Sequence, residues 1–353
     1  MSSMYLKRPI PPTLILLFFT FLSITSFAQR KALPRVEMLT SGTKTSLRGL
    51  SVVNNNVVWV SGSNGTVGKS SNGGKNWKWM TVTGFEKSDF RDIEAFDANT
   101  AIILAIADPA YILKTTDGGD SWKIVYENKT KGMFLDAMDF SNPAEGIVIG
   151  DPVDGRFFMA KTKDGGNSWT ELPAAERPLA DSGEAFFASS GTNVRYLYNK
   201  SIILASGGKN SRVFFNKETF AVPMTKGKET AGTNSVAVYD NYRRNGSNKM
   251  IIVGGDFTKD TLIDNNCYVS NNAGKSWERP KIPPHGYRSC VEFLDKDNIV
   301  TCGLNGVDYS FNGGKDFYLI SKEGFHVSRF AKVGNTVYLA GGNGKIGKLV
   351  WGD

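Results

Sequence analysis

Two histidines and three cysteines among 353 residues leave little material for a metal centre or a disulfide framework. Cys267, Cys290 and Cys302 follow no zinc-ligand spacing, and no metal site is expected. Cys290 and Cys302 should lie on neighbouring strands of one hairpin; a bridge there depends on register, and buried free thiols are the preferred reading. Blocks of like charge are missing too. The basic excess of +8 is scattered along the chain, which describes a solvated surface rather than a nucleic-acid site. Apolar residues at three- and four-residue spacing are scarce, so amphipathic helices are not expected.

Long apolar runs are nearly absent as well. The one exception, Thr13 to Ile24 (TLILLFFTFLSI), is about a dozen residues, too short to cross a bilayer core of roughly 30 Å as a helix. Lys7 and Arg8 precede it and Ser26-Phe27-Ala28 follows, the layout of a signal peptide over residues 1–28 cleaved after Ala28. The chain is therefore expected to be exported, periplasmic or secreted, and not membrane-spanning once the leader is gone. No cysteine follows the cut, so no lipid anchor is expected.

What is present points to β-structure. The composition is 41% hydrophobic and 22% charged, enough apolar surface for a large core, and 38 glycines mark many turns. The segment TTDGGDSW at Thr115–Trp122 recurs as SSNGGKNW at Ser70, TKDGGNSW at Thr162, SNNAGKSW at Ser270 and SFNGGKDF at Ser310. Its third letter falls at Asn72, Asp117, Asp164, Asn272 and Asn312, and the long gap before Asn272 holds a degenerate copy, FFNKETF, at Phe214–Phe220. A period of about 40 to 50 residues signals a propeller or solenoid. Each unit reads as four strands, A to D, with an apolar run such as VVWVSG or MIIVGG before the repeated turn and aromatic or β-branched residues after it. Seven units begin near Arg48, Arg91, Asp136, Glu184, Asn234, Arg288 and Ser328, which predicts an all-β, seven-bladed β-propeller of four-stranded antiparallel blades over residues 29–353. The last unit has only three strands. Residues 35–42, RVEMLTSG, resemble the fourth strand of the first unit and are expected to close the ring.

In the repeated turn, an Asp or Asn side chain can accept backbone N–H groups, the glycines take positive φ, the hydroxyl adds a local bond and the aromatic returns to the core. These residues resemble the Asp-box, or BNR repeat, of sialidases, xyloglucan-cleaving glycosidases and the photosystem II stability/assembly factor family. The resemblance implies that the box is structural and lies away from the ligand face, which assigns that role to Asn72, Trp77, Asp117, Trp122, Asp164, Trp169, Asn272, Trp277, Asn312 and Phe317. Over the whole mature chain the likeness is to the assembly-factor family, and it implies a single exported propeller, a monomer with no reaction and no cofactor, that binds a protein or glycan ligand in the cell envelope. Two nucleotide-like strings fail on context. Gly342 to Gly347 spells G-x-G-x-x-G between two short strands with no room for a βαβ crossover, and Gly68-Lys69-Ser70 has Ser63 where a phosphate loop needs glycine.

A site is expected on the face opposite the boxes, where the longest irregular segments, residues 173–183, 225–233 and 256–266, fall. Aligning the first strands places Arg48, Asp92, Asp136, Glu184, Ser235, Ser289 and Ser328 around the channel, with Arg91, Arg288, His326 and Arg329 beside them. That ring is either a wet channel of mutually paired charges or a pocket in which arginines hold an anionic or peptide ligand. The alternative function is a glycosidase using Asp92, Asp136 or Glu184. Against it, the F-R-I-P motif of sialidases is reduced to Phe90-Arg91-Asp92-Ile93, and xyloglucanases work between two propellers.

Overall fold

The computed structural model describes residues 33–40, 43–239 and 248–352, together with Met1. The expected signal peptide, past Met1, and the end of the expected closing segment, Ser41 and Gly42, lie outside the described residues.

The strands assemble as a seven-bladed propeller of antiparallel sheets. Blade 1 is typical, running from Leu47–Val52 at the axis through Val58–Gly62 and Thr66–Ser70 to Lys78–Thr81 at the rim. Strand B of blades 1, 2 and 6 is buried at every residue. Each blade is covered on both faces by its neighbours, which is why these strands read as continuous apolar runs rather than as alternation. Between blades 1 and 2, for example, Trp59, Val67, Phe90, Ile93, Ile103 and Leu113 form one buried cluster. At about 25 cal/mol per Å² of apolar surface, such burial is the main term holding the blades together.

Ring closure follows the expected plan. Arg35–Thr40 pairs antiparallel with Ile346–Val350, with Val36 opposite Leu349 and Glu37 opposite Lys348, as the outermost strand of blade 7. Val36 and Leu39 pack against the cluster shared by blades 6, 7 and 1.

All five repeated turns close with the same bonds. In Thr115–Trp122 the Thr115 hydroxyl donates to Asp117 (2.8 Å) and accepts from the Gly119 amide (3.0 Å), while the Ser121 amide donates to Asp117 (3.0 Å). The Gly118 amide reaches the Asn99 carbonyl in the A–B turn of the same blade at 2.9 Å, and Gly118 and Gly119 have φ of 79° and 89°, where a side chain would be strained. Lys69 and Lys114 each donate from strand C to the turn of the next blade, at the carbonyls of Gly118 and Gly165, a clasp between blades. The degenerate copy is also a C–D turn, but a tight one between Arg212–Phe215 and Glu218–Ala221 with Asn216 left-handed at φ 55°. Gly342–Gly344 forms a short 3-10 turn between strands B and C of blade 7, as the surrounding strands imply. Cys290 and Cys302 face each other in register, and all three cysteines are buried free thiols.

Two blades depart from the expected layout. In blade 5 the fourth strand shrinks to one bridge between Val269 and Glu278. Blade 4 was expected to begin at Glu184; instead its first strand is split. Glu184–Ala185 pairs with Gly207–Gly208, the chain then leaves the sheet for residues 186–193, and pairing resumes at Val194–Tyr196.

Candidate functional site

The excursion 186–193 crosses the axis and touches blades far from its own. Ser190 donates to the Ser289 carbonyl (2.7 Å), Thr192 to the Ser235 hydroxyl (2.7 Å), and Arg329 donates to the carbonyls of Ser190 (3.0 Å) and Gly191 (3.2 Å). Gly191 sits on the Asp92 carboxyl, where an added Cβ would lie 2.3 Å from Cγ. Only glycine fits there, and its φ of 64° is left-handed as well. The channel expected along the axis is thus plugged at mid-height, with a cavity at each end.

The upper cavity, about 380 Å³, lies on the face opposite the repeated turns. The long segments expected on this face contribute Glu229 and Phe257 to its wall. Its charged lining is placed by a recurring backbone device. The register of strand A slips by one residue between Leu47 and Gly49, Phe90 and Asp92, Leu135 and Ala137, and Thr233 and Ser235. The extra residues are Arg48, Arg91, Asp136 and Asn234, and all four line the cavity. A bulge re-aims the side chain it carries, here toward the axis. Phe134, Phe186, Phe187, Phe257 and Tyr287 supply an aromatic wall.

The polar groups divide into satisfied and unsatisfied ones. Arg91 donates from Nε to Asp89 (2.8 Å) and lies over the Phe134 ring. Tyr287 and Ser189 both donate to Asn234 Oδ1, at 2.7 and 3.1 Å. His326 contacts the Ser46 hydroxyl at 3.3 Å, and burial, reinforced by Arg48, Lys345 and Arg91, pushes its pKa down to about 3, so the imidazole is neutral. Arg48 makes no hydrogen bond or ion pair among the described residues, and burial followed by the nearby Arg91 lowers its pKa. Asp136 is fully buried, no side chain donates to its carboxyl, and the backbone amides of Ala188 and Asp151 lie close enough to offset part of the cost of burying it. Asp151, on the adjoining strand, accepts the Phe186 amide at 3.0 Å. Burial, then the neighbouring Asp151, raises Asp136 well above the usual carboxyl range, and burial raises Asp151 to about 6.

Of the expected ring, Arg48, Arg91, Asp136, Ser289 and His326 come together here. Asp92 and Arg329 lie at the plug, and Arg329 also borders the lower cavity with Arg195, Glu292, Asp139, Glu94 and Lys332. Two residues are elsewhere. Glu184 is buried in an ion pair with Arg212 and also accepts from Ser206. Arg288 is sealed in a pair with Asp308. Neither lines the upper or the lower cavity, since each pairs with a group on strand C of its own blade. The three acids weighed for glycoside hydrolysis, Asp92, Asp136 and Glu184, consequently do not share one cavity. Sequence reading did not single out Asp151 or the aromatic wall as site residues; the only signal for Asp151 is its place at the end of an apolar B strand.

No protein-family model and no curated protein matches the chain. Solved structures do. The structure titled YCF48 bound to D1 peptide aligns with a TM-score of 0.64 at 15% identity, over 91% of this chain and 97% of that one. YCF48 from Cyanidioschyzon merolae aligns with a TM-score of 0.64 at 16% identity, over 89% and 98%. The WD40 propeller domain of Doa1 follows at 0.61 and 13%, over 90% and 97%. At such identities the likeness establishes the fold, and the chain is a seven-bladed propeller similar in structure to YCF48 and to WD40 propellers.

Proposed function

We propose that this protein is an exported, non-enzymatic binding propeller of the photosystem II assembly factor-like type, which holds a peptide of an envelope protein in its upper cavity. The observation that carries the reading is Arg48, a guanidinium with no hydrogen bond or ion pair among the described residues, aimed by a bulge into an aromatic-walled cavity beside Arg91. Two guanidinium groups in such a setting select an anionic group through charge-assisted hydrogen bonds. The structural likeness to a YCF48 that is bound to a D1 peptide supports a protein ligand. The repeated turns are Asp-boxes in this reading, and they serve the fold rather than the ligand. The leader over residues 1–28 supports export to the periplasm or beyond.

The test is capture from the native envelope with the mature chain, compared with Arg48→Ala and Arg91→Ala. A protein retained by the wild type and depleted at least about tenfold by each variant is the expected result. Equal retention by all three baits overturns the assignment, as does turnover of chromogenic sialosides or polysaccharides by the wild type.

A further inference from the structure

The upper cavity holds a second ionisable group without a side-chain partner. Arg48 makes no hydrogen bond or ion pair among the described residues, and Asp136 is a buried carboxyl to which no side chain donates, yet both face the same space. Leaving either group in a low-dielectric site without an ion-pair partner is unfavourable, and the two do not pair with each other. Asp151 adds a second carboxyl beside the first. Anion-binding groups therefore stand on blades 1 and 2 and cation-binding groups on blade 3, with Phe134, Phe187 and Phe257 exposing apolar surface around them. At about 380 Å³ the space is near the low end of ligand pockets, room for the end of a chain rather than an extended segment.

We infer that the upper cavity takes a zwitterionic group: an anion held by Arg48 and Arg91 and an ammonium held by Asp136 and Asp151, joined by an apolar stem along the phenylalanines. The terminal lysine of a peptide has that chemistry. This inference rests on the proposed anion site and adds the cationic half of the ligand. Asp136 faces Asp151 and Arg91, with Arg48, Glu229 and His326 around the remaining wall, and burial, then Asp151, raises it well above the usual carboxyl range. An ammonium beside the two carboxyls favours their ionised forms and lowers these raised pKa values.

The probe is ε-aminocaproate, which carries both charges on one aliphatic stem, titrated calorimetrically against the mature protein beside caproate and hexylamine, each with a single charge. The expected result is that ε-aminocaproate binds at least about tenfold more tightly than either control, with proton release. Asp136→Asn, which replaces the carboxyl by an amide of equal size, should abolish the advantage over caproate. Asp151→Asn serves the same purpose should the first variant fail to fold. Equal affinity of the wild type for caproate and ε-aminocaproate overturns the cation site but leaves the anion site standing. Absence of binding by all three compounds overturns both. Caproate binding that disappears in Arg48→Ala confirms the anion end on its own.

Discussion

Arg288 was expected at the channel, and the structure gives it a different job with a measurable consequence. Its side chain and that of Asp308 are both 0% exposed. Its Nε donates to Asp308 (2.6 Å), and Nη1 donates to the Tyr287 carbonyl (2.8 Å) and the Asn305 amide oxygen (2.6 Å). Truncation to Ala strips Asp308 of its main cation. Only His285, whose side chain is half-exposed, remains beside that carboxylate at 2.5 Å. Removing one partner of a buried pair costs about 3 to 5 kcal/mol, because the other charge is left unsolvated. For a chain of this size, at roughly 2 °C per kcal/mol, the melting temperature of Arg288→Ala should fall by about 6 to 10 °C. The double variant Arg288→Met with Asp308→Leu should recover most of the loss, since an apolar pair of similar volume replaces the ion pair at little net cost. Thermal melts followed by tryptophan fluorescence make the comparison. An Arg288→Ala protein that melts with the wild type, or a double variant no better than the single one, refutes the reasoning.

Other outcomes follow from the turns and from the acids at the axis. Asp164→Ala removes the acceptor of the Ser168 and Asn167 amides, both at 3.0 Å, and should lower stability by about 1 to 2 kcal/mol in urea melts while leaving any ligand affinity of the folded protein unchanged. Asp92, Asp139 and Glu292 are raised to about 8, 6 and 7, first by burial. The folded state therefore holds more protons than the unfolded one from the ordinary carboxyl range up to about pH 8, and the stability from these groups is full below that range and lost as pH rises through it. The melting temperature should fall from pH 5 to pH 9 and fall less steeply in Glu292→Gln; a flat or rising profile contradicts the account.

The repeated turn and the closing strand were legible because their information is local. Hydroxyl, Asp or Asn, two glycines and an aromatic specify one loop without reference to the rest of the chain, and RVEMLTSG carries the pattern of a rim strand wherever it pairs. The excursion 186–193 was not legible. FFASSGTN has no period, and its partners Asp92, Ser235, Ser289 and Arg329 come from four other blades. Glu184 was misplaced for the same reason, since aligning strand starts assumes an unbroken first strand. The bulges at Arg48, Arg91, Asp136 and Asn234 add one residue to a ladder, and a one-residue slip is visible only when the partner strand is known. Asp136 stands near Arg91 as the alignment of strand starts implies, but its burial without a side-chain donor is a property of three dimensions.

Because blade 7 is built from both ends of the propeller, the strand made first during synthesis waits for a mate made last. Until Ile346–Val350 emerges, the nascent chain holds at most six complete blades and an unclosed arc, and the earliest strand has nothing to pair with. Contacts of such long sequence separation form slowly. Closure is thus a timing step as well as a structural one: termination anywhere before Ile346–Val350 yields an open arc, and completion of the ring reports that every blade has been made.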